Sequence, residues 1–261
     1  MNQRWRRGRA SYRPPDDPIR TAEYEVARID GDEVAKAFVV AHHYAATYPT
    51  ARARFGLYRR GTLAGVAVFS HPANDVVLTG VFPGTATDSM ELGRFVLLDH
   101  VAGNGETWFL ARCFAQLRRD GVRGVVSFSD PVPRRARDGR LVFKGHVGTI
   151  YQAHNGTYLG RGTARTLHLL PDGTVVSARA LQKIRAGERG WRYAAAQLEA
   201  AGAPPCAGDR RRWLTTWLPR VTTRLAHPGN HKYAWPLTRH DRLPASLPYP
   251  KFHTLPFGDV A

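Results

Sequence analysis

Two apolar runs enclose a helical pattern in the middle of the chain. Residues 95–98 are followed by a turn of small residues, Gly103-Asn104-Gly105, and residues 125–128 stop at an Asp-Pro pair. Between the runs, residues 104–119 carry apolar side chains at helical spacing. A strand, turn, helix and strand in this order leave free N–H groups and a positive dipole end at the turn. The pattern therefore predicts a site for a phosphate-bearing cofactor.

The same periodicities predict elements on both sides of this unit. Apolar alternation and continuous apolar runs indicate strands, whereas capping residues, Gly and Pro mark helix ends and turns. We expect strands at 24–29, 54–58, 63–70 and 76–81, helices at 33–45, 149–158, 179–199 and 211–218, and a hairpin that turns at Asp172-Gly173.

Charge indicates a nucleic-acid partner. The chain carries 38 Lys and Arg against 21 Asp and Glu, a formal net charge of +17. Residues 1–20 hold six Arg against two Asp, and residues 179–261 hold fourteen Lys and Arg against five acidic residues. Arginines with Trp and Tyr nearby, here Trp213 and Tyr233 among others, are typical of nucleic-acid surfaces. A genome that favours Arg codons is the alternative explanation.

Two basic segments supply the candidate nucleic-acid contacts. One is the long segment after Asp130, which is either a DNA-contacting loop or an ordinary surface excursion, and the other is the C-terminal region. We predict contacts to DNA or RNA from Arg134, Arg135, Lys144, Arg210, Arg211, Arg212 and Lys232.

Hydropathy and cysteine content exclude several classes of protein. No apolar run approaches the ~20 residues of a membrane-spanning helix, and the basic N-terminal residues lack the apolar core of a signal peptide. Cys113 and Cys206 provide neither a disulfide framework nor zinc-ligand spacing. We expect a protein of the reducing cytoplasm with no membrane partner.

The order of elements resembles that of the Gcn5-related N-acetyltransferases, which bind acyl-coenzyme A at the turn after their fourth strand. The segment His100-Val-Ala-Gly103-Asn-Gly105 matches their turn pattern except at its first position. The resemblance implies an α/β fold with a mixed central sheet flanked by helices. It also implies an acyl-coenzyme A-like donor held by Gly103, Asn104 and Gly105.

A narrower resemblance covers about residues 24–200. The motifs are His43-Tyr44, Gly65, LGR at 92–94, an Asn-x-x-Thr helix start, WFLAR at 108–112, SDP at 129–131, IYQAHN and YLGR. In this order they resemble the Mom family of phage DNA-modification proteins. The resemblance implies an enzyme that adds a carbamoylmethyl (glycinamide) group to N6 of adenine in double-stranded DNA, which protects the DNA from restriction in a bacterial or phage-infected cell.

The resemblance also implies a domain organisation and a set of site residues. We expect a basic flexible arm at 1–20, a catalytic domain at 21–180 and a basic DNA-contacting extension at 181–261. The family's proposed active-site residues fall on His43, Tyr44, Asp130 and Tyr151, and its cofactor-contacting residues fall on Arg94 and Thr107. Iron has been proposed for the family, and His43, Tyr44 and Asp130 are the candidate ligands.

Each candidate residue also has a structural explanation. A His near a helix end can cap carbonyl groups, Asp before Pro commonly starts a turn, and Tyr151 and Tyr158 have the spacing of packed residues on one helix face. Arg94 can be an ion-pair partner of Glu91. Two other functions remain open: an N-acetyltransferase for a protein or small amine, and a non-catalytic DNA-binding protein.

Overall fold

The computed structural model describes residues 2–6, 9–13, 17–72 and 74–251. Its strands are β1 Asn2–Arg6, β2 Arg9–Arg13, β3 Tyr24–Arg28, β4 Ala51–Arg59, β5 Thr62–Ser70, β6 Ser89–Leu97, β7 Gly124–Ser129, β8 Arg134–Arg135, β9 Leu141–Phe143, β10 Thr157–Arg161, β11 Arg165–Leu169, β12 Val175–Val176, β13 Thr223–His227 and β14 His231–Pro236. Its α-helices are α1 Glu33–His42, α2 Val76–Val81, α3 Gly105–Arg119, α4 Thr149–Ala153, α5 Ala178–Ala186, α6 Trp191–Ala200 and α7 Arg210–Val221. None of these helices has both the length and the apolar character needed to span a bilayer.

Seven of the described strands form a mixed sheet in the order β10-β14-β7-β6-β5-β4-β3. All neighbours in this sheet are antiparallel except β6 and β7, which are parallel. A parallel pair requires a crossover connection, and α3 provides it. The predicted α/β fold with a mixed sheet flanked by helices is therefore confirmed.

Helices pack on both faces of this sheet. Helix α3 buries Phe109, Leu110, Cys113 and Leu117, which recur at helical spacing, in the main core. Helix α1 packs on the opposite face against β5 and β6, and α2 packs against β7 and β14. Strand β5 is apolar along its length because both of its faces are covered.

A second compact unit is formed by Pro131–Gly145 and Gly162–Gly229. It contains the β8–β9 hairpin, a three-stranded sheet in the order β12-β11-β13, and α5, α6 and α7. Its own core includes Ile184, Leu198 and Trp213.

This division differs from the expected boundary at residue 180. The expected extension, residues 181–261, contains β14, which lies between β10 and β7 in the central sheet. The expected arm contains the antiparallel hairpin of β1 and β2. Residues 1, 7–8 and 14–16 of that arm, and residues 252–261 of the extension, lie outside the described residues.

Three predicted elements were wrong in type or length. Residues 76–81 form a helix, because the Asn74 side chain accepts a hydrogen bond from the Val76 amide and starts a turn. The helix expected at 149–158 ends at Ala153, and Tyr158 lies on strand β10. The helix expected at 179–199 is two helices, since Gly187 and Gly190 both adopt positive φ.

A substitution at Gly148 tests how tightly the start of α4 is packed. Its φ is +77°, and an added Cβ would lie 2.8 Å from Tyr233 and 2.9 Å from Tyr151. The matched control is Gly84, with φ +84° and no atom within 4 Å of the added Cβ. We expect Gly84→Ala to cost about 1–2 kcal/mol of unfolding free energy, and Gly148→Ala to cost roughly 1–3 kcal/mol more from overpacking. Equal losses in urea unfolding would contradict this packing.

Candidate active site

The ladder between the two parallel strands of the central sheet is short. Strands β6 and β7 pair only at Ser89–Gly124, Met90–Val125 and Glu91–Val126. Both strands continue beyond the last pair, β6 to Leu97 and β7 to Ser129, and each stays paired on its other side. The two strands therefore separate beyond Glu91, and we call the space between them the strand opening.

A β-bulge in β6 sets the side chains at this opening. Val68 of β5 pairs with Arg94 and Phe69 pairs with Leu92, so Gly93 is an extra residue. The insertion shifts the alternation of side chains by one position. As a result, Glu91 and Arg94 lie on the same side of the sheet, while Leu92 packs in the core on the opposite face.

Glu91 is the most perturbed carboxyl group of the opening. Desolvation by burial raises the pKa of Glu91 to about 7, although the nearby Arg94 lowers it. Within the described part of the chain, the carboxyl group of Glu91 forms no hydrogen bond and no ion pair. A carboxyl group that titrates near neutral pH in a cleft has the property required of a general base. Sequence reasoning considered Glu91 only as an ion-pair partner, because neither the bulge nor the burial is visible in the sequence.

Arg94 holds a loop in place. Its Nε donates to the Thr47 carbonyl at 2.8 Å, its Nη2 donates to Thr47 Oγ1 at 2.6 Å, and its Nη1 donates to the Gly93 carbonyl at 2.5 Å. The loop held in this way follows His43 and Tyr44. These hydrogen bonds make Arg94 a positioning residue for the loop, and its predicted contact with the cofactor stays a prediction.

His43 is a neutral hydrogen-bond donor. Its Nδ1 accepts the amide of Ala45 at 3.1 Å. Desolvation, assisted by the charges of Arg94 and His146, lowers the pKa of His43 to about 3. A neutral imidazole whose Nδ1 accepts a hydrogen bond carries its proton on Nε2. His43 can therefore donate a hydrogen bond to a substrate through Nε2–H. Of the predicted proton-transfer roles, this one fits the neutral ring.

Tyr44 connects this loop to the segment that returns from the second unit. Its ring lies against that of His43, with ring centroids 4.2 Å apart. Its hydroxyl group lies 3.3 Å from Nε2 of His146, and the His146 amide donates to the Asp130 carbonyl at 2.8 Å. His43, Tyr44 and Asp130 are therefore linked through His146, a residue that sequence reasoning did not select.

Tyr151 reaches the strand opening from the main-core face. Its ring packs against Tyr233 and Trp235 at centroid distances of 5.5 and 5.7 Å. Burial raises the pKa of the Tyr151 hydroxyl, and a hydrogen bond with Ser127 lowers it. Glu91 and Arg94 also act electrostatically on Tyr151, so its hydroxyl group lies at the opening.

Ser129 is a further polar group that sequence reasoning missed. Its hydroxyl oxygen is buried and has no hydrogen-bond partner among the described residues. Buried polar atoms are nearly always satisfied, so such an atom beside the strand opening is a position where a ligand atom can bind. The only sequence signal for it was its place directly before Asp130.

The turn expected to bind a phosphate is occupied by the chain itself. The Gly103 amide donates to the Asp17 carbonyl at 2.9 Å, and the Gly105 amide donates to the Ala102 carbonyl at 3.0 Å. Asn104 Oδ1 accepts the Ile19 amide at 2.6 Å. Thr107 Oγ1 donates to the Asn104 carbonyl at 3.1 Å. As folded, the turn does not fit the predicted role of Gly103 and Gly105 as free phosphate donors.

A family model of the Mom protein family matches residues 23–236. The chain belongs to this family. Among solved structures, an N-acetyltransferase from Staphylococcus aureus Mu50 is 10% identical with a TM-score of 0.37, covering 82% of this chain and 99% of its own. A tandem GNAT protein from the clavulanic acid biosynthesis pathway is 10% identical with a TM-score of 0.44, covering 84% of this chain and 100% of its own. No curated protein sequence matches.

The described part of this Mom-family chain supplies no cluster of carboxylate, imidazole and thiolate groups for a metal ion. Among the described residues, no group of three His, Cys, Asp or Glu side chains is placed to hold an ion. Tyrosine is not one of these four residue types, so iron binding by His43, Tyr44 and Asp130 stays a prediction, and we derive no step through iron.

The predicted DNA contacts of this Mom-family chain differ in exposure. Arg211 and Arg212 are exposed, as is Arg135, which donates to the Gly139 carbonyl. Arg134 stacks on Phe143 at 4.2 Å, while Lys144 and Lys232 are half-buried. The remaining predicted contact, Arg210, packs against Trp191 and Gly187.

Two parts of the basic-surface prediction need correction. Arg210 has a buried Nε without a partner in the described chain, so it is a packing residue of the second unit. Trp213 and Tyr233 were expected beside arginines on a nucleic-acid surface, but both are buried core residues. Apolar packing explains them, because their large rings fill the cores of the two units.

The raised pKa of Glu91 makes stability depend on pH. A folded-state pKa above the ordinary 4.5 means that ionisation of Glu91 costs stability as pH rises from about 4.5 to about 7. Glu91→Gln removes this cost. We therefore expect the variant to gain Tm relative to the wild type, and to gain more at about pH 8 than at about pH 5. The exposed Glu25→Gln is the control; the same pH trend in both variants would contradict a desolvated Glu91.

Proposed function

We propose that this chain transfers a small group to N6 of adenine in double-stranded DNA, and that the group is carbamoylmethyl (glycinamide). The observation that carries the proposal is the Mom family match, which encloses every side chain of the strand opening. The modified base would no longer fit the restriction enzymes that read adenine at its N6 edge.

Proton removal is the chemical task for which the opening is suited. The N6 amine is conjugated to the purine ring and is weakly nucleophilic. When N6 forms its new bond to carbon, it must lose one proton. Glu91 is the proposed acceptor, because its pKa of about 7 matches the working pH of a general base. Arg94 positions the His43 loop, and His43 Nε2–H and the Tyr151 hydroxyl are the proposed donors to the substrate.

The adenine has to leave the base stack to reach this opening. Extrusion costs a few kcal/mol, and stacking on aromatic side chains offsets part of that cost. The exposed ring of Tyr44 is the proposed stacking surface. The chain's net charge of +17 favours binding to the phosphate backbone, which supplies further affinity.

The proposed donor is an acyl-coenzyme A-like molecule. The order of elements around residues 100–105 supports this donor, while the engaged amides of Gly103 and Gly105 oppose it. Acyl transfer would break the thioester C–S bond of this donor, release the thiol and join N6 to a carbonyl carbon. A carbamoylmethyl group joins N6 to a methylene carbon instead, so the proposed product requires that an initial glycyl adduct rearrange to its carbamoylmethyl isomer. A glycyl group and a carbamoylmethyl group have the same composition, so fragmentation is needed to tell them apart.

Nucleoside mass spectrometry of plasmid DNA from cells that express the protein tests this proposal. We expect a modified deoxyadenosine whose fragments place a methylene carbon on N6, together with resistance to adenine-reading restriction enzymes. An N6-acyl product would favour ordinary acyl transfer to DNA. Unmodified DNA from cells with well-folded protein would refute the proposal and favour an acetyltransferase for another amine or a non-catalytic DNA-binding protein.

Substitutions at the opening test the assignment of roles. Glu91→Gln should lower the modification rate by roughly 10²–10⁴-fold, the range for loss of a general base. Asp130→Ala and Tyr151→Phe should also abolish modification without loss of DNA affinity. The controls are Glu25→Gln and Tyr193→Phe, since Tyr193 is 80% exposed in the second unit. Wild-type activity in Glu91→Gln would remove that residue from the mechanism.

A further inference from the structure

The second unit carries most of the chain's positive charge. Its segments Pro131–Gly145 and Gly162–Gly229 contain sixteen Lys and Arg against five Asp and Glu, a net +11 of the total +17. These segments make up less than a third of the chain. The charge excess is therefore a property of this unit rather than of the whole sequence.

The five carboxylates of the unit are already engaged. Glu188 pairs with Arg179, and the other four accept hydrogen bonds from nearby residues. Asp138 accepts from the Arg140 amide, Asp172 from Thr174, Glu199 from the Cys206 amide, and Asp209 from the amides of Arg211 and Arg212. The unit is described throughout, and none of these carboxylates is bound to the cations considered next.

One face of the three-stranded sheet brings three basic side chains together. His168 on β11 lies directly opposite Arg224 on β13, and Arg185 of α5 is close enough to act on His168 electrostatically. We call these three residues the His168 patch. Arg185 and Arg224 are exposed and make no ion pair in the described chain. Thr166 and Ala226, opposite each other on the same face, are exposed and small, so they leave the patch open.

The hydrogen bonds of His168 determine which ring nitrogen is free. The Thr222 hydroxyl donates to the Leu218 carbonyl at 2.6 Å, so its oxygen must accept from His168 Nδ1, which lies 3.3 Å away. Nδ1 therefore carries the proton, and Nε2 presents a lone pair with no partner among the described residues. Protonation at Nε2 would add a third cationic donor to the patch.

Within the part of the chain that the structure describes, no carboxylate pairs with the side chains of the patch. Like charges on opposite strands destabilise a sheet. Desolvation by burial is the main cause that lowers the pKa of His168, and the positive charges of Arg224 and Arg185 lower it further. The imidazole is therefore neutral at neutral pH. The other strand beside His168 contributes only Val176 at the paired position. A bound anion would relieve the repulsion and favour the protonated ring.

We propose that the His168 patch binds a phosphate of the DNA backbone, and that binding is coupled to protonation of His168. The proposal rests on the proposed function only in taking DNA as the partner. Arg185 and Arg224 supply the permanent positive charge, and His168 becomes protonated when the phosphate binds. Such a contact fixes the position of the DNA on the second unit and carries no sequence information.

Salt titration of DNA binding by the full-length protein tests the two arginines. The probe is a short fluorescent duplex, read by anisotropy. We expect Arg185→Ala/Arg224→Ala to flatten the slope of log K against log salt by about 0.9 for each phosphate contact removed. The control is Arg118→Ala/Arg119→Ala, which removes two exposed charges from the last turn of α3. If the patch variant and the control change the slope equally, the proposal is wrong.

The pH dependence of binding tests the histidine. Because phosphate raises the pKa of His168, the complex holds an additional proton, and affinity should rise as pH falls from about 7.5 to about 5.5. His168→Gln should remove this part of the rise while the variant keeps its fold by circular dichroism. The proposal fails if wild type and His168→Gln show the same pH dependence.

Two further experiments identify the source of the phosphate and distinguish a failure of this inference from a failure of the proposed function. At matched ionic strength, inorganic phosphate should compete no better than sulfate; strong competition by phosphate alone would overturn the DNA assignment in favour of a small phosphate ligand. Nucleoside analysis is independent of these titrations. Adenine modification without a patch effect would refute this inference alone, whereas a patch effect without modification would refute only the proposed function.

Discussion

The early end of the β6–β7 ladder is the constraint on which the candidate site depends. Parallel strands joined by a helix normally pair along their length, but here pairing stops at Glu91–Val126. The outer edges of both strands stay paired, with β5 and β14. At the opening, side chains replace some of the lost ladder bonds: the Ser127 hydroxyl donates to the Leu92 carbonyl and Arg94 donates to the Gly93 carbonyl.

The opening places groups where burial changes their chemistry. The bulge at Gly93 brings Glu91 and Arg94 to one side, and desolvation then raises the pKa of Glu91 while lowering that of His43. Holding a carboxylate in this way costs stability at neutral pH, which is a usual feature of functional sites. Arg94 uses its donors on Thr47 and Gly93, and Glu91 has no ion-pair partner among the described residues.

The sequence predicted those elements whose apolar spacing and end signals lie within the element itself. Helix α3 was predicted closely, because its apolar spacing and the Gly121 that follows it are both readable in the sequence. Strand β14 was not predicted, because its partners β7 and β10 are distant in sequence and only tertiary pairing places it between them. Glu91 and His146 were missed for a similar reason. The environment of Glu91 depends on the register shift in β6, and that of His146 depends on where the chain re-enters the first compact unit.

The most direct test of the central claim, that chemistry takes place at the strand opening, is a structure of the protein bound to duplex DNA that contains a target adenine. We expect an extruded adenine whose N6 lies within hydrogen-bond distance of the Glu91 carboxylate and beside the Tyr151 hydroxyl. An adenine that remains stacked in the duplex, or that is extruded into a pocket without Glu91, would contradict chemistry at the strand opening.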